Sequence, residues 1–163
     1  MADIRPLVPR PEVMEFLLTR RSRPAKTLAA PAPDRVALRA MLEAAAGAPD
    51  HCKLVPWRFI VLERAALDRL AVAAAERGAM LGKDEDACQK AAREYANSPL
   101  CVAVVESPKP SEKIPAIEQT YSAGAVCLAL LNAALASGWG ANWLSGFPSH
   151  DRAFVETELG LAK

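Results

Sequence analysis

Two guanidinium groups and a hydroxyl follow one another at Arg20, Arg21 and Ser22. Paired arginine side chains can fork onto a phosphate or another planar acceptor, and the hydroxyl can add one more hydrogen bond. The same residues are also typical of a helix C-terminus, where positive charge complements the helix dipole. Taken alone, the three residues are more often a charged helix end than an anion site.

A second polar cluster, Asp-His-Cys-Lys, occupies residues 50–53 between a predicted helix and a predicted strand. Functional groups tend to collect in such loops. His51 beside Cys52 suggests a cysteine nucleophile, but the base must normally reach the thiol from elsewhere in the fold, so adjacent residues rarely give that geometry. A hydrolase is therefore disfavoured, and the alternative is an ordinary polar loop anchored by Pro56 and Trp57.

A third segment, GWGANWLSG at residues 138–146, combines three glycines with two tryptophans. Glycine lets the backbone approach a ligand closely, and tryptophan offers a flat surface. The spacing is not G-x-G-x-x-G and the chain has no Walker A pattern, so a standard dinucleotide or nucleotide fold is not indicated. On its own, the segment is more typical of tryptophans buried beside a tight turn.

The composition is that of one soluble globular domain. The 163 residues carry a formal net charge of +1, and 52% of them are hydrophobic. A net charge near zero, without basic residues interleaved with aromatic ones, disfavours nucleic-acid binding. Four cysteines without a CxxC pair predict reduced thiols in the cytoplasm, and two histidines disfavour a zinc site. Residues 1–10 lack an apolar run and predict an extended leader.

Hydrophobic periodicity and turn signals predict an α+β fold. Helices are expected at residues 11–20, 34–46, 64–78, 84–96, 122–138 and 149–160. The expected caps are Asp34 and Ser149 at N-termini and Gly160 at the last C-terminus. Strands are expected at residues 57–63 and 99–107, with a third strand or extended segment at 139–146.

The longest apolar segment, residues 122–138, is marginal in length for a membrane span and contains Asn132. A helix that is apolar on every side is typical of a position inside a domain or between subunits. We therefore expect a long buried central helix and no membrane insertion.

In this order, the motifs resemble the FMN-dependent nitroreductase family, and in particular its compact subgroup of NAD(P)H nitroreductases. The pattern RRS … APDHxxxxPWRF … SAG … GxGxxWxSG carries the resemblance over nearly the whole chain. It implies a single nitroreductase-like FMN-binding domain over residues 1–163, with a small, mostly antiparallel sheet flanked by helices. The family usually continues with a further strand beyond the position of Lys163, which this sequence does not include. The resemblance also implies a homodimer with flavin sites shared between subunits.

The resemblance assigns residues as well. Arg20 and Ser22 would hold the phosphate and ribityl end of FMN, and Arg21 would lie toward the pyrimidine edge of its ring. Gly47 and His51 would reach the flavin from the partner subunit. The remaining residues implied are Trp143, Leu144 and Ser145 beside the ring, and Ala133, Ala134, Leu135, Ala136, Ser137 and Gly138 for the nicotinamide donor. No catalytic side chain and no metal is expected, because the flavin carries the chemistry.

The expected function is hydride transfer from NAD(P)H through FMN to a small acceptor such as a nitroaromatic, a quinone or an enone. A single site visited in turn by donor and acceptor implies ping-pong kinetics. The alternative is a flavin- or ligand-binding protein of the same fold without turnover. It is motivated by Gly47, where close relatives can carry an arginine, and by the missing C-terminal strand.

Overall fold

The computed structural model describes residues 7–161 and has the α+β architecture expected from the sequence. Within these residues we number seven α-helices and two strands in chain order. The helices are α1 Pro11–Thr19, α2 Arg35–Ala46, α3 Arg64–Met80, α4 Glu85–Ala96, α5 Ala116–Ala136, α6 Phe147–His150 and α7 Arg152–Glu158. The strands are β1 Trp57–Leu62 and β2 Cys101–Glu106. Residues 7–10 of the expected leader form neither helix nor strand, and its first six residues lie outside the described range.

The two strands form an antiparallel sheet, which confirms the predicted small antiparallel sheet. They pair from Trp57 opposite Glu106 to Leu62 opposite Cys101, and the antiparallel helices α3 and α4 connect them. Of the two expectations for residues 139–146, a third strand or an extended segment, the strand is wrong, because this segment forms neither helix nor strand. Its backbone bonds to an irregular loop instead of to the sheet.

Aspartate side chains cap three of the helices. Asp34 accepts a hydrogen bond from Ala37 N–H at 2.8 Å, as predicted, and Asp84 caps α4 in the same way. The predicted cap at Ser149 is wrong, because this residue lies inside the short α6 and Asp151 caps α7 instead. Asp151 is suited to the position because its carboxylate serves two partners, the N-terminus of α7 and an arginine of α3.

That arginine is Arg77, which donates two hydrogen bonds of 2.9 Å to the Asp151 carboxylate. The side-chain hydrogen bond from Arg77 and the backbone hydrogen bond from Phe154 hold the pKa of Asp151 below its usual value. A bidentate pair of this kind fixes orientation as well as distance. It therefore ties the N-terminus of α7 to α3.

The larger hydrophobic core lies between α3, α4, α7 and one face of the sheet. Apolar periodicity puts the buried side chains of each helix on the side that faces the others. Burial raises the pKa of Tyr95, which packs on Phe154, to about 12. The buried members of this core are Leu62, Leu67, Leu70, Ala74, Ala91 and Phe154.

A second, smaller core joins α2, β1 and α5 through Ala45, Trp57 and Val126. Helix α5 is the long central helix that we expected, although it starts at Ala116 rather than at residue 122. Val126 is fully buried, whereas Tyr121 is 68% exposed in the single chain. Among the described helices, α5 alone is long and apolar enough to cross a bilayer by length and composition. It packs on α2 and β2.

Gly78 allows α3 and α4 to approach each other closely, which generates a prediction. A Cβ at this position would lie 2.7 Å from Cys88 Sγ and 3.2 Å from Phe147 Cζ. We expect Gly78→Ala to lower the free energy of unfolding by about 1–3 kcal/mol in a urea titration, although alanine favours the helix by about 1 kcal/mol. Cys88→Ala removes the clashing sulfur, so the double variant should lose less stability than the two single losses combined. Strict additivity would contradict the close-approach explanation.

Candidate functional site

The residues Arg20 and Ser22 lie where α1 ends. Arg20 is the C-cap, and its backbone N–H donates to the Phe16 carbonyl at 2.7 Å. Its Nη2 donates to Ser22 Oγ at 3.3 Å, while its Nε is buried and has no hydrogen-bond partner among the described residues. A buried guanidinium N–H without an acceptor costs free energy. An anionic oxygen bound here would satisfy that donor, so the site fits a phosphate group.

Arg21 behaves as a helix-end residue in this structure. Its Nη1 donates to the carbonyl oxygens of Arg20 at 2.7 Å and Leu18 at 3.2 Å. These are the unpaired carbonyls that close a helix, and a cation there also complements the helix dipole. The helix-end interpretation therefore accounts for Arg21 fully, and a contact of its side chain with a flavin stays a prediction.

The segment 139–146 is hydrogen-bonded to Arg23, the residue that directly follows Arg20, Arg21 and Ser22. Arg23 N–H donates to the Ala141 carbonyl at 2.9 Å, and Asn142 Nδ2 donates to the Arg23 carbonyl at 2.5 Å. A Cβ on Gly140 would lie 2.9 Å from Leu28 Cδ2, so the glycine permits the close contact. The structure therefore brings two of the three predicted segments together, residues 20–22 and residues 143–145.

Residues 143–145 directly follow the residues that are hydrogen-bonded to Arg23, and they present a flat apolar surface. The side chains of Trp143 and Leu144 are 52% and 43% exposed, which contradicts burial of Trp143 beside a tight turn. Ser145 Oγ is hydrogen-bonded to Nε2 of His150 at 2.8 Å. An exposed indole can cover one side of a planar ring.

The third predicted segment is hydrogen-bonded to a different part of the chain, helix α5. Gly47 is the C-cap of α2, and the loop that follows carries His51, whose Nδ1 lies 2.7 Å from Glu118 Oε2 of α5. Among the described residues, no hydrogen bond or ion pair joins residues 47–53 to residues 20–22 or 143–145. One chain therefore links two parts of the predicted site by hydrogen bonds and leaves the third without such a link.

The backbone of this loop is strained. Cys52, Lys53 and Val55 have φ values of 61°, 54° and 49°, which is unusual for residues other than glycine and a true outlier for a β-branched valine. Asp50 Oδ2 holds the conformation by accepting the Val55 N–H at 2.7 Å. Such strain persists only where neighbouring contacts impose it, and it is concentrated at functional sites.

All four cysteines are free, as predicted. Cys52 is exposed on the strained loop, and Cys88 is buried below Gly78. Burial raises the pKa of Cys101 and of Cys127, which keeps these thiols protonated and unreactive.

Residues 133–138, the segment expected to bind the nicotinamide, form the C-terminus of α5 and the turn after it. The backbone N–H groups of Ser137, Gly138 and Trp139 all donate to carbonyls of the last turn at 3.0–3.1 Å, and Gly138 has a φ of 83°. This is a Schellman motif, which consumes the local donors and acceptors. The segment offers a ligand an apolar surface, and its helix-dipole end does not favour a phosphate.

Sequence reasoning missed the residues that connect the predicted ones. Asn142 lies in the segment predicted as a strand or an extended segment, although its asparagine and nearby glycines are signals for an irregular segment. Glu118 is 67 residues from His51 in the chain, and no local pattern links the two positions. His150, the partner of Ser145, was assigned only to the last helix.

Comparisons with known proteins agree on one family. The sequence profile of the Nitroreductase family matches residues 17–163. The chain is 39% identical over 136 residues to "Putative NAD(P)H nitroreductase YdjA" of Escherichia coli K12, covering 83% of this chain and 73% of that protein. It is 36% identical over 136 residues, with the same coverage, to "Putative NAD(P)H nitroreductase" of Haemophilus influenzae.

Solved structures share the fold at lower sequence identity. A nitroreductase-like family protein from Bacillus cereus superposes with a TM-score of 0.72 at 22% identity, covering 97% of this chain and 82% of that one. A BluB-like flavoprotein from Clostridium difficile 630 gives a TM-score of 0.64 at 18% identity, covering 91% of this chain and 82% of that one. At this identity the likeness concerns the fold.

Proposed function

This chain belongs to the nitroreductase family and is therefore an oxidoreductase, and from that premise we propose an FMN-dependent enzyme. It would transfer hydride from NAD(P)H through flavin to a small acceptor such as a nitroaromatic, a quinone or an enone. The names of the curated relatives support the donor, and the flavoprotein with a similar fold supports a flavin. The four cysteines are free, which is consistent with an enzyme that acts in the cytoplasm.

The single observation that carries the proposal is the buried, unpartnered Nε of Arg20 beside Ser22. A phosphate monoester has nearly two negative charges and three acceptor oxygens, which match this donor and a neighbouring hydroxyl. In our proposal Arg20 and Ser22 bind the phosphate of FMN. Arg21 would have to turn away from the end of α1 to reach the ring.

Residues 143–145 would orient the flavin ring. Trp143 and Leu144 are exposed and directly follow Asn142, which is hydrogen-bonded to Arg23, and they would exclude water from one edge of a bound ring. When bound, FMN supplies the hydride chemistry, so the chain has to bind the cofactor, orient it and provide complementary charge. Donor and acceptor would use the same face in turn, which gives ping-pong kinetics. For the nicotinamide donor, residues 133–138 would offer apolar contact rather than charge.

A second copy of the chain would complete the site. No residue of α1 is buried, and its apolar side chains include Val13 at 47%, Met14 at 55%, Leu17 at 47% and Leu18 at 69% exposure. Exposed apolar surface of this extent is typical of a subunit contact. A two-fold contact would also cover the exposed side of α5 and allow His51 of one subunit to reach the flavin of the other.

The first prediction from this proposal is spectroscopic. The purified protein should show the absorption bands of an oxidised flavin, and denaturation should release FMN rather than FAD. NADH or NADPH should bleach the bands under anaerobic conditions. A flavin that neither donor bleaches would favour the alternative, a binding protein without turnover. A colourless protein that takes up no FMN on incubation would defeat the proposal.

The second prediction concerns Arg20. Replacement by alanine removes a charge-assisted contact worth about 1.5–3 kcal/mol, so FMN affinity should fall about tenfold or more. Fluorescence titration of the apoprotein measures the affinity, and circular dichroism checks the fold. The matched control is Arg35→Ala, which removes an arginine side chain that is 91% exposed on α2 and should leave affinity unchanged. Equal affinity of Arg20→Ala and wild type would reduce the RRS segment to a charged helix end.

The third prediction tests whether sites are shared between subunits. Arg20→Glu and His51→Asp should each lose FMN as homodimers. In a mixed dimer, one site would carry both defects, and the other would combine the intact Arg20 and the intact His51. Refolding the two variants together should therefore restore activity, up to one working site per heterodimer.

The mixed preparation must be shown by native mass spectrometry to contain heterodimers. If each site came from a single chain, every site would carry one defect and activity would stay absent. Absence of recovery in verified heterodimers would reject shared sites while leaving the flavoenzyme proposal intact.

A further inference from the structure

The loop that carries His51 is joined to another element by one side-chain pair. Among residues 7–161, the His51–Glu118 contact of 2.7 Å is the only hydrogen bond from residues 47–53 to a distant part of the chain. Glu118 lies in the first turn of α5, so the loop is attached to the central helix. No part of the predicted flavin set includes Glu118.

The chemistry of the pair fixes which ring nitrogen carries a proton. An ionised carboxylate can only accept, so Nδ1 of His51 must donate to Glu118 Oε2. Nε2 then has no hydrogen-bond partner among the described residues and is the ring nitrogen left for a ligand. The two side chains are 60% and 43% exposed, which leaves room for a ligand to approach the ring.

The attachment matters because the loop is strained. Cys52, Lys53 and Val55, which follow His51, all have positive φ. The hydrogen bond from Val55 N–H to Asp50 fixes only the end of the turn that is farther from His51. Without a further contact, the imidazole would rotate freely about its side-chain bonds. Glu118 supplies that contact from α5, a helix that the fully buried Val126 anchors in the core. The imidazole of His51 is therefore held against a fixed helix.

We propose that Glu118 is a positioning residue that fixes His51 with its proton on Nδ1 and presents Nε2 to the flavin bound in the partner's site. The inference rests on the proposed function, since it takes His51 as a flavin contact. Its structural half, the fixed ring, stands on the geometry of this chain alone. A carboxylate that orients a functional histidine through its second nitrogen is a common arrangement in proteins.

The first arm of the test measures the tautomer of His51 directly. The chain contains two histidines, so a long-range proton–nitrogen correlation spectrum of the purified full-length protein shows two imidazoles. At a pH where both rings are neutral, we expect the proton of His51 on Nδ1, which is the minor tautomer of a free histidine side chain in water. Glu118→Leu should shift His51 to the Nε2-protonated form, and Glu118→Asp should retain Nδ1 protonation because its carboxylate can only accept a hydrogen bond. His150, which pairs with Ser145 through Nε2, is the internal control and should not change.

The second arm measures FMN affinity of the same three proteins. Loss of one orienting hydrogen bond should weaken binding about three- to tenfold in Glu118→Leu, with rescue in Glu118→Asp. Thermal unfolding checks that all three remain folded. A role in stability alone would lower the melting temperature without this pattern of loss and rescue.

The outcomes separate the two proposals. If wild type binds no flavin, the proposed function fails, while the spectrum still decides whether Glu118 fixes the ring. If wild type binds FMN and Glu118→Leu leaves the tautomer unchanged, the positioning role is wrong. A changed tautomer with unchanged FMN affinity would also overturn it, because the fixed ring would then not serve the flavin.

Discussion

The contact of Val126 with Ala45 and Trp57 is the interaction on which the candidate site depends. These three side chains belong to α5, α2 and β1. The loop with His51 leaves α2 two residues after Ala45 and enters β1 at Trp57, and segment 139–146 follows the end of α5. This small buried cluster therefore fixes the helices and the strand from which the two irregular segments of the site begin. Well-packed interiors transmit position in this way because their side chains cannot shift independently.

The regular elements were largely predictable because their signals are local. Apolar spacing placed α2, α3 and α4 within two residues of their observed bounds, and Asp34 identified the start of α2. The start of α5 at Ala116 was missed because its first turns carry polar residues, including the buried Gln119, which pairs with the backbone of Lys109. At the last helix, serine and aspartate are nearly equal as caps, and only the distant Arg77 favours Asp151.

The candidate site was predictable by type of residue but not by arrangement. Resemblance named Arg20 and Trp143, and the structure brings their segments together through Arg23 and Asn142, which no pattern had singled out. The aromatic composition of segment 139–146 imitates a strand, but its hydrogen-bonding partner is a loop 119 positions away. Pairings between irregular segments depend on tertiary structure, and local propensity contains no information about them.

The backbone at Val55 has a consequence for how this protein can change over evolution. A valine with a φ of 49° pays a conformational cost of about 1–3 kcal/mol that glycine or asparagine would avoid. Selection for heat resistance alone would therefore favour glycine or asparagine at this position, because either residue adopts the same positive φ at lower cost. The turn held by Asp50, which leads the chain into Trp57, would be kept while the strain is removed. Thermal tolerance and the geometry of the turn are therefore compatible at this position, and a lineage that keeps a β-branched residue there does so at the expense of stability.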